Sequence, residues 1–170
     1  ITTRYIAGLL ESVGVDRMLT IDVHNLAAFQ NSFRCRTDHL EARPLFVREL
    51  VQVVGDRPVV VVSPDEGGMK RANRFADGLR SHLGRNVPTA FVEKLRSGDT
   101  ISGGTLVGDV DGAVAVVVDD LIGTGGTICQ ATRACVQGGA EAVAAAATHG
   151  VFVGEAPERL ALPELDALYV

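Results

Sequence analysis

Val116-Val117-Val118-Asp119-Asp120-Leu121-Ile122-Gly123-Thr124-Gly125-Gly126-Thr127 is the stretch on which the reading of this chain turns. A β-branched run delivers two adjacent carboxylates, and a loop of glycine and threonine then opens a helix that Gly138-Gly139 ends. Glycine lets backbone N–H groups turn toward an anion, and the positive end of a helix dipole favours negative charge at the same place. Thr124 and Thr127 add hydroxyl donors. Carboxylates are badly placed for a phosphate but accept hydrogen bonds from sugar hydroxyls. Asp119 and Asp120 beside such a loop therefore describe a sugar-phosphate site. The plainer reading is a helix cap after a turn, for which one Asp or Thr would suffice.

Working outward, the same alternation of buried run, turn and amphipathic stretch recurs. Val114 to Val118 begins this strand, Val143 to Thr148 makes another, and Leu165 to Val170 starts the last. Upstream, Val59-Val60-Val61-Val62 is a continuous β-branched run, the mark of a strand buried on both faces of a parallel sheet. It breaks at Ser63-Pro64-Asp65-Glu66-Gly67-Gly68, and the pattern predicts a helix from Met69 to about Leu83 and a strand around Thr89 to Val92. Lys94-Leu95-Arg96-Ser97-Gly98-Asp99-Thr100 and Ser102-Gly103-Gly104 are too polar and glycine-rich to pack, which predicts a mobile loop before Thr105-Leu106-Val107 resumes β structure. Asp111-Gly112 supplies a tight turn. Near the start, Ile6, Leu9, Leu10 and Val13 recur at helical spacing before Gly14, and Met18 to Val23 form a short strand ending in Asp-Val-His. Polar, turn-prone sequence runs to about Asp38, and Leu45, Leu50 and Val53 mark a second helix. The fold class that follows is α/β, a parallel sheet flanked by helices, with ligands outside the carboxyl ends of the strands.

Composition narrows the function. The 170 residues are 46% hydrophobic and 22% charged with no Trp, ordinary for a soluble globular protein. A net charge of −5 argues against a nucleic-acid partner, which needs a basic face. No run has the length of a membrane span and no leader is evident, so a cytoplasmic protein with reduced Cys35, Cys129 and Cys135 is expected. GxxxxGK[ST], a kinase-like glycine loop and an HRD-type segment are all missing, so phosphates are handled by other means. Ile1 in place of Met and the closing Leu168-Tyr169-Val170 read as ends cut from something larger.

The Asp119 to Thr127 stretch resembles the phosphoribosyl-binding loop of type I phosphoribosyltransferases and of the related ribose-phosphate diphosphokinases. Further stretches resemble the diphosphokinase family in the family's order: Thr20-Ile21-Asp22-Val23-His24 with Phe29-Gln30 and Phe33, Ser63 to Arg71, Glu93-Lys94-Leu95-Arg96, Val107-Gly108-Asp109-Val110, and Ala147-Thr148-His149-Gly150. The resemblance implies a type I phosphoribosyltransferase-like fold, with residues 1–40 ending a truncated N-terminal domain and 41–170 forming the C-terminal domain that carries the ribose 5-phosphate loop. It implies transfer of the β,γ-diphosphoryl group of Mg-ATP to the 1-hydroxyl of ribose 5-phosphate, giving phosphoribosyl pyrophosphate and AMP. Lys94 and Arg96 would be catalytic, with Arg96 also at the sugar phosphate beside Asp119, Asp120, Gly123, Thr124, Gly125, Gly126 and Thr127. His24, Asp65, Gly67 and Gly68 would bind ATP and its diphosphate, and His24 and Asp65 would hold magnesium, with Asp22 a candidate for the same shell. Homo-oligomerisation is implied as well, and the 170-residue chain alone would be inactive.

Each role has a plainer alternative. His24 after a strand is commonly a capping or packing residue, and imidazole is an unusual ligand for magnesium, which prefers oxygen. Asp22, two residues earlier in an extended segment, would point the same way as His24. Lys94 and Arg96 read by composition as two solvated charges. His39 and His82 read as surface residues, and His149 at a strand end fits a structural role or a place near the site. Three departures from the family pattern stand out: Leu95 where a basic residue is common, Glu66 where a small one is usual, and Gly123 in place of a polar residue. Two rival functions remain. A phosphoribosyltransferase consuming phosphoribosyl pyrophosphate would share the loop but need neither His24 nor the Lys94/Arg96 arrangement. A non-catalytic relative would be expected to have lost Lys94, Arg96 or the paired Asp.

Overall fold

The structure is a computed structural model that describes residues 2–97 and 100–170, with the side chains of 94–103 left aside. The chain folds as two compact units, residues 1–42 and 43–170.

The smaller unit runs α1 (Thr2–Ser12), β1 (Arg17–Ile21), α2 (Leu26–Ser32) and β2 (Arg36–Leu40). Its two strands pair in parallel from Arg17↔Arg36 to Ile21↔Leu40. The Asn25 side chain starts α2 by accepting from the N–H of Ala28. The Glu11 carboxylate accepts from the N–H groups of Arg34 and Cys35 at 2.7 and 2.9 Å, fixing the entry to β2. Both α2 and β2 fall where the sequence reads as polar and turn-prone. The Arg-Thr-Asp-His-Leu of β2 carries no apolar alternation, so nothing in its pattern announces a strand.

The larger unit contains α3 (Arg43–Val54), β3 (Val59–Ser63), a 3₁₀ turn (Glu66–Gly68), α4 (Met69–Leu83), β4 (Thr89–Ser97), β5 (Thr100–Val107), β6 (Val114–Ile122), α5 (Gly126–Gln137), β7 (Ala142–Gly150), α6 (Ala156–Leu160) and β8 (Ala167–Tyr169). Its sheet has the order β5-β4-β3-β6-β7-β8. All neighbours are parallel except β4 and β5, which form an antiparallel hairpin at one edge. Strand alternation sorts the core into two layers. Val59, Val61, Val114, Val116, Ala144 and Ala146 pack with Val47 and Leu50 of α3 and Phe75 and Leu79 of α4. Val60, Val62, Ala115, Val117, Ala145 and Ala147 pack with Ile128, Ala131 and Cys135 of α5 and Leu160 of α6. The small alanines of β7 let helices approach closely on both sides.

The loop expected from Lys94 to Gly104 is corrected by the hairpin: β4 and β5 carry nearly all of it, paired Lys94↔Gly104 and Ser97↔Thr100. A hairpin at a sheet edge is held by its backbone ladder and needs no apolar side chains on both faces. Gly104 is required there, because a Cβ at its position would collide with Val92 Cγ1 and come within 2.8 Å of Gln130 Nε2. Among the described residues no helix is long and apolar enough to cross a membrane.

Candidate active site

Strands β3 and β6 lie side by side in parallel, from Val59↔Val114 to Val62↔Val117. The chain leaves β3 through α4 toward β4, and leaves β6 through α5 toward β7, on opposite sides of the sheet. The sheet therefore changes direction between β3 and β6, which is where open α/β sheets form a binding crevice. The two loops singled out in the sequence leave the carboxyl ends of these two strands.

The first loop is built around Ser63, fully buried at the end of β3. Its Oγ donates to the carbonyl of Asp65 at 2.6 Å. Asp65 Oδ1 in turn accepts from the Gly68 N–H at 3.1 Å, capping the 3₁₀ turn. Position 68 has no room for a side chain, since a Cβ there would strike Ser63 Oγ. A Cβ on Gly67 would sit 3.3 Å from Asp65 Oδ1. Both glycines thus let the backbone close on the Asp65 carboxylate.

Arg71, in the first turn of α4, reaches across to β6. Its Nη1 lies 2.9 Å from Asp119 Oδ1 and its Nη2 3.1 Å from Asp120 Oδ2. Asp119 Oδ1 also accepts from the backbone N–H of Asp120 at 2.9 Å. The carboxylate pair does not follow the strand, as its sequence suggested, but lies within β6, which continues to Ile122 by pairing Leu121↔His149 and Ile122↔Gly150. The side chains are only 18% and 9% exposed. Burial, with a hydrogen bond to the Asp120 side chain, pushes the Asp119 carboxyl up to about 6 against the opposing pull of the Asp120 N–H and of Arg71.

The second loop ends on Gly125, whose φ of +77° is a left-handed conformation that glycine adopts without strain. A Cβ there would come within 2.9 Å of Leu160 Cγ, so α6 packs directly on the loop. Gly125 at the N-cap offers no side chain to cap α5, and the N–H groups of a first helical turn have no partner within the helix. The Arg159 guanidinium stands over this helix end, its Nη1 3.7 Å from where a Gly126 Cβ would lie, at the same distance as Thr124 Oγ1. Cys129 Sγ holds Arg159 by donating to its carbonyl at 3.2 Å. The N–H groups of Val151 and Phe152 donate to the Ile122 carbonyl, and that of Val153 to the Gly123 carbonyl, tying the loop from behind.

Among the sequence candidates, Asp65, Gly67 and Gly68 thus shape one loop, and Gly123, Thr124, Gly125, Gly126 and Thr127 the other, with Asp119 and Asp120 on the strand between. The sequence missed Arg71 and Arg159. Arg71 was part of a quoted motif but had no visible partner, because its carboxylates lie 48 and 49 residues away. Lys94, Leu95 and Arg96 lie on the backbone of β4, but their side chains fall outside the described residues.

In the smaller unit, Asp22 has a φ of 42°, so the extended geometry expected to carry it and His24 to the same side does not exist there. Its Oδ2 accepts from the Ala42 N–H at 2.9 Å. His39 is half-buried, contrary to its reading as a surface residue, and its Nε2 accepts from the Val23 N–H at 3.2 Å. His82 is exposed, as expected. Among the described residues no group of three or more His, Cys, Asp and Glu side chains is assembled that could cage a metal.

Residues 44–163 match the family model described as the phosphoribosyl transferase domain. The chain belongs to this family. Within the phosphoribosyl transferase family its curated relatives include a ribose-phosphate pyrophosphokinase of Parasynechococcus marenigrum, 43% identical over 94% of this chain and 46% of the relative. Ribose-phosphate pyrophosphokinase 1 of Streptococcus pyogenes is 38% identical over 100% of this chain and 52% of its own. The chain spans about half the length of the curated relatives it matches. A solved phosphoribosylpyrophosphate synthetase from Mycobacterium smegmatis superposes with a TM-score of 0.84 at 34% identity, covering 99% of this chain and 59% of that one. An orotate phosphoribosyltransferase from Aeropyrum pernix, 21% identical with a TM-score of 0.50 over 76% of this chain and 70% of that chain, shares the fold.

Proposed function

We propose that this protein is a ribose-phosphate diphosphokinase, moving the β,γ-diphosphoryl group of ATP to the 1-hydroxyl of ribose 5-phosphate and releasing AMP. The observation that carries the proposal is the arrangement at the switch point. A carboxylate pair on β6, Asp120 buried and Asp119 half-buried, stands between a glycine-lined helix N-terminus and the tightly wound Asp65–Gly68 loop of the adjacent strand. The helix end suits a phosphate, the carboxylates suit a diol, and the neighbouring loop suits a second polyphosphate substrate with its cation.

In this reading Thr124, Thr127 and the first N–H groups of α5 hold the 5-phosphate, while Asp119 and Asp120 accept from the ribose hydroxyls and fix the ring. The 1-hydroxyl is thereby presented toward the Asp65–Gly68 loop, where the backbone closes around the diphosphate. Magnesium suits this donor set, because the ion takes one or two carboxylates and completes its shell with water and substrate phosphates, needing no all-protein cage. Asp65 is one donor that the larger unit offers. Bound magnesium would neutralise charge on the transferring phosphoryl oxygens. Lys94 and Arg96 supply further cations for the charge that builds in the transition state. By resemblance the protein is a cytoplasmic homo-oligomer.

The test is product analysis on the full-length protein with Mg-ATP. AMP formation that depends on ribose 5-phosphate supports the assignment. Release of diphosphate from phosphoribosyl pyrophosphate with a nucleobase, and no AMP from ATP, would assign the protein to the phosphoribosyltransferases instead.

A further inference from the structure

We propose that Arg71 is a positioning residue for the sugar site, which holds Asp119 and Asp120 together as paired hydrogen-bond acceptors and ties them to the loop of the other substrate. This inference rests on the proposed function and deepens it. Two carboxylates adjacent on one strand and largely shielded from water repel each other, and a low-dielectric setting drives one of them to take up a proton. A protonated carboxyl presents a donor where the ribose diol needs an acceptor. The Arg71 guanidinium offsets this with separate nitrogens, Nη1 on Asp119 and Nη2 on Asp120, at 2.9 and 3.1 Å. A planar fork spans two carboxylates in this way, whereas an ammonium is a point charge.

The placement of Arg71 is controlled from the other loop. It lies three residues beyond Gly68, in the first turn of the helix that this loop opens. A Cβ at position 68 would stand 3.5 Å from Arg71 Nη1, an ordinary contact distance, so the guanidinium passes directly beside this loop on its way to β6. Asp119 and Asp120 from β6 and Arg71 from α4 meet at this point. Arg71 need not touch the sugar. It acts through the two carboxylates, and its position follows the winding of the Asp65–Gly68 loop.

The full-length protein and its R71Q and R71K variants test this by calorimetric titration with ribose 5-phosphate, with inorganic phosphate and with Mg-ATP. R71Q is expected to bind ribose 5-phosphate at least tenfold more weakly, with inorganic phosphate within twofold of wild type, because the helix end is untouched. R71K restores only part of the loss. In steady-state assays the KM for ribose 5-phosphate rises more than kcat falls, and D119N adds little to R71Q. Unchanged ribose 5-phosphate affinity in R71Q, beside a wild type that binds, overturns the inference alone. Equal loss of ribose 5-phosphate and inorganic phosphate also overturns it. Should R71Q fail to fold, R71K decides, and wild-type affinity in that variant overturns the inference. A wild type that binds no ribose 5-phosphate overturns the functional reading and this inference together.

Discussion

Ser63 Oγ occupies the space that a side chain on Gly68 would need. The hydroxyl is buried there because it donates to the Asp65 carbonyl, and the Asp65 carboxylate returns a bond to the Gly68 N–H. Three residues thus set one another's positions through two hydrogen bonds and one close steric contact. These tie down the loop that follows β3 at the point where a second substrate is proposed to bind.

Gly68→Ala is expected to destabilise the larger unit by about 1–3 kcal/mol, the usual cost of forcing a methyl group into a filled site. The added Cβ meets Ser63 Oγ directly, while Ser63 Cβ would stand a comfortable 3.7 Å away. Ser63→Ala in the same chain should therefore recover part of the loss, although it gives up a hydrogen bond worth about 1 kcal/mol. Urea unfolding of the two single variants and the double variant measures the coupling. Strict additivity would mean that the Gly68 effect has another source.

Asp119 sets a pH dependence whose two parts have opposite sign. Its carboxyl rises from an ordinary value of 3.8 to about 6 in the fold, so the folded chain binds the proton more tightly than the unfolded one. This group's contribution to stability is therefore greatest at low pH and declines as pH rises from about 4 to about 6. Binding of a sugar diol runs the other way, since the ionised carboxylate is the acceptor, and ribose 5-phosphate affinity should fall as pH drops through about 6. The phosphate group itself titrates in the same range, with a second pKa near ~6. Inorganic phosphate titrated in parallel isolates the Asp119 contribution, which Asp119→Asn should remove.

Asp119→Asn and Asp120→Asn are expected to weaken ribose 5-phosphate by more than tenfold and Mg-ATP by less than threefold. Each change removes an acceptor beside the phosphate loop and leaves the Asp65–Gly68 loop intact. Isothermal titration of each ligand against the full-length protein separates the two. Equal losses would place the pair at the metal.

Lys94→Ala should abolish most turnover with little change in melting temperature. Loss of a cation that meets charge only in the transition state costs on the order of 3 kcal/mol, about a hundredfold in rate. A steady-state assay of AMP release with a thermal melt of the same preparation checks both halves. Turnover near wild type would remove Lys94 from the mechanism.

The strands and helices of the larger unit were legible where side-chain pattern decides structure. Val59 to Val62 and Val114 to Val118 cannot be solvated, and the helix from Met69 to Leu83 begins and ends where its glycines stand. Short β2 and the tip of the β4–β5 hairpin, from Lys94 to Gly104, were not legible, because backbone pairing holds them and neither has the apolar alternation that a reader looks for. The outer parts of the hairpin, at Thr89 to Val92 and Thr105 to Val107, read as strands. The site divides in the same way. Asp119 and Asp120 could be named from their sequence neighbours, but Arg71 and Arg159 reach the candidate site only through partners supplied by another element, and no local spacing records that. Asp22 shows the converse. Its role was argued from an extended backbone, and one residue with positive φ removes the argument.

The sheet gives each proposed substrate its own strand, β3 for the donor and β6 for the acceptor, and Arg71 spans the gap between them. Such a layout is modular. On the proposed reading the β6 loop can be kept as a sugar-phosphate grip while the β3 loop is rewritten for a different reaction partner, and the guanidinium bridge is the adaptor that any such rewriting has to preserve or replace. Swapping the Asp65–Gly68 segment between members of the fold, with position 71 kept as arginine, is therefore the exchange to make first when changing what the proposed sugar site is set against.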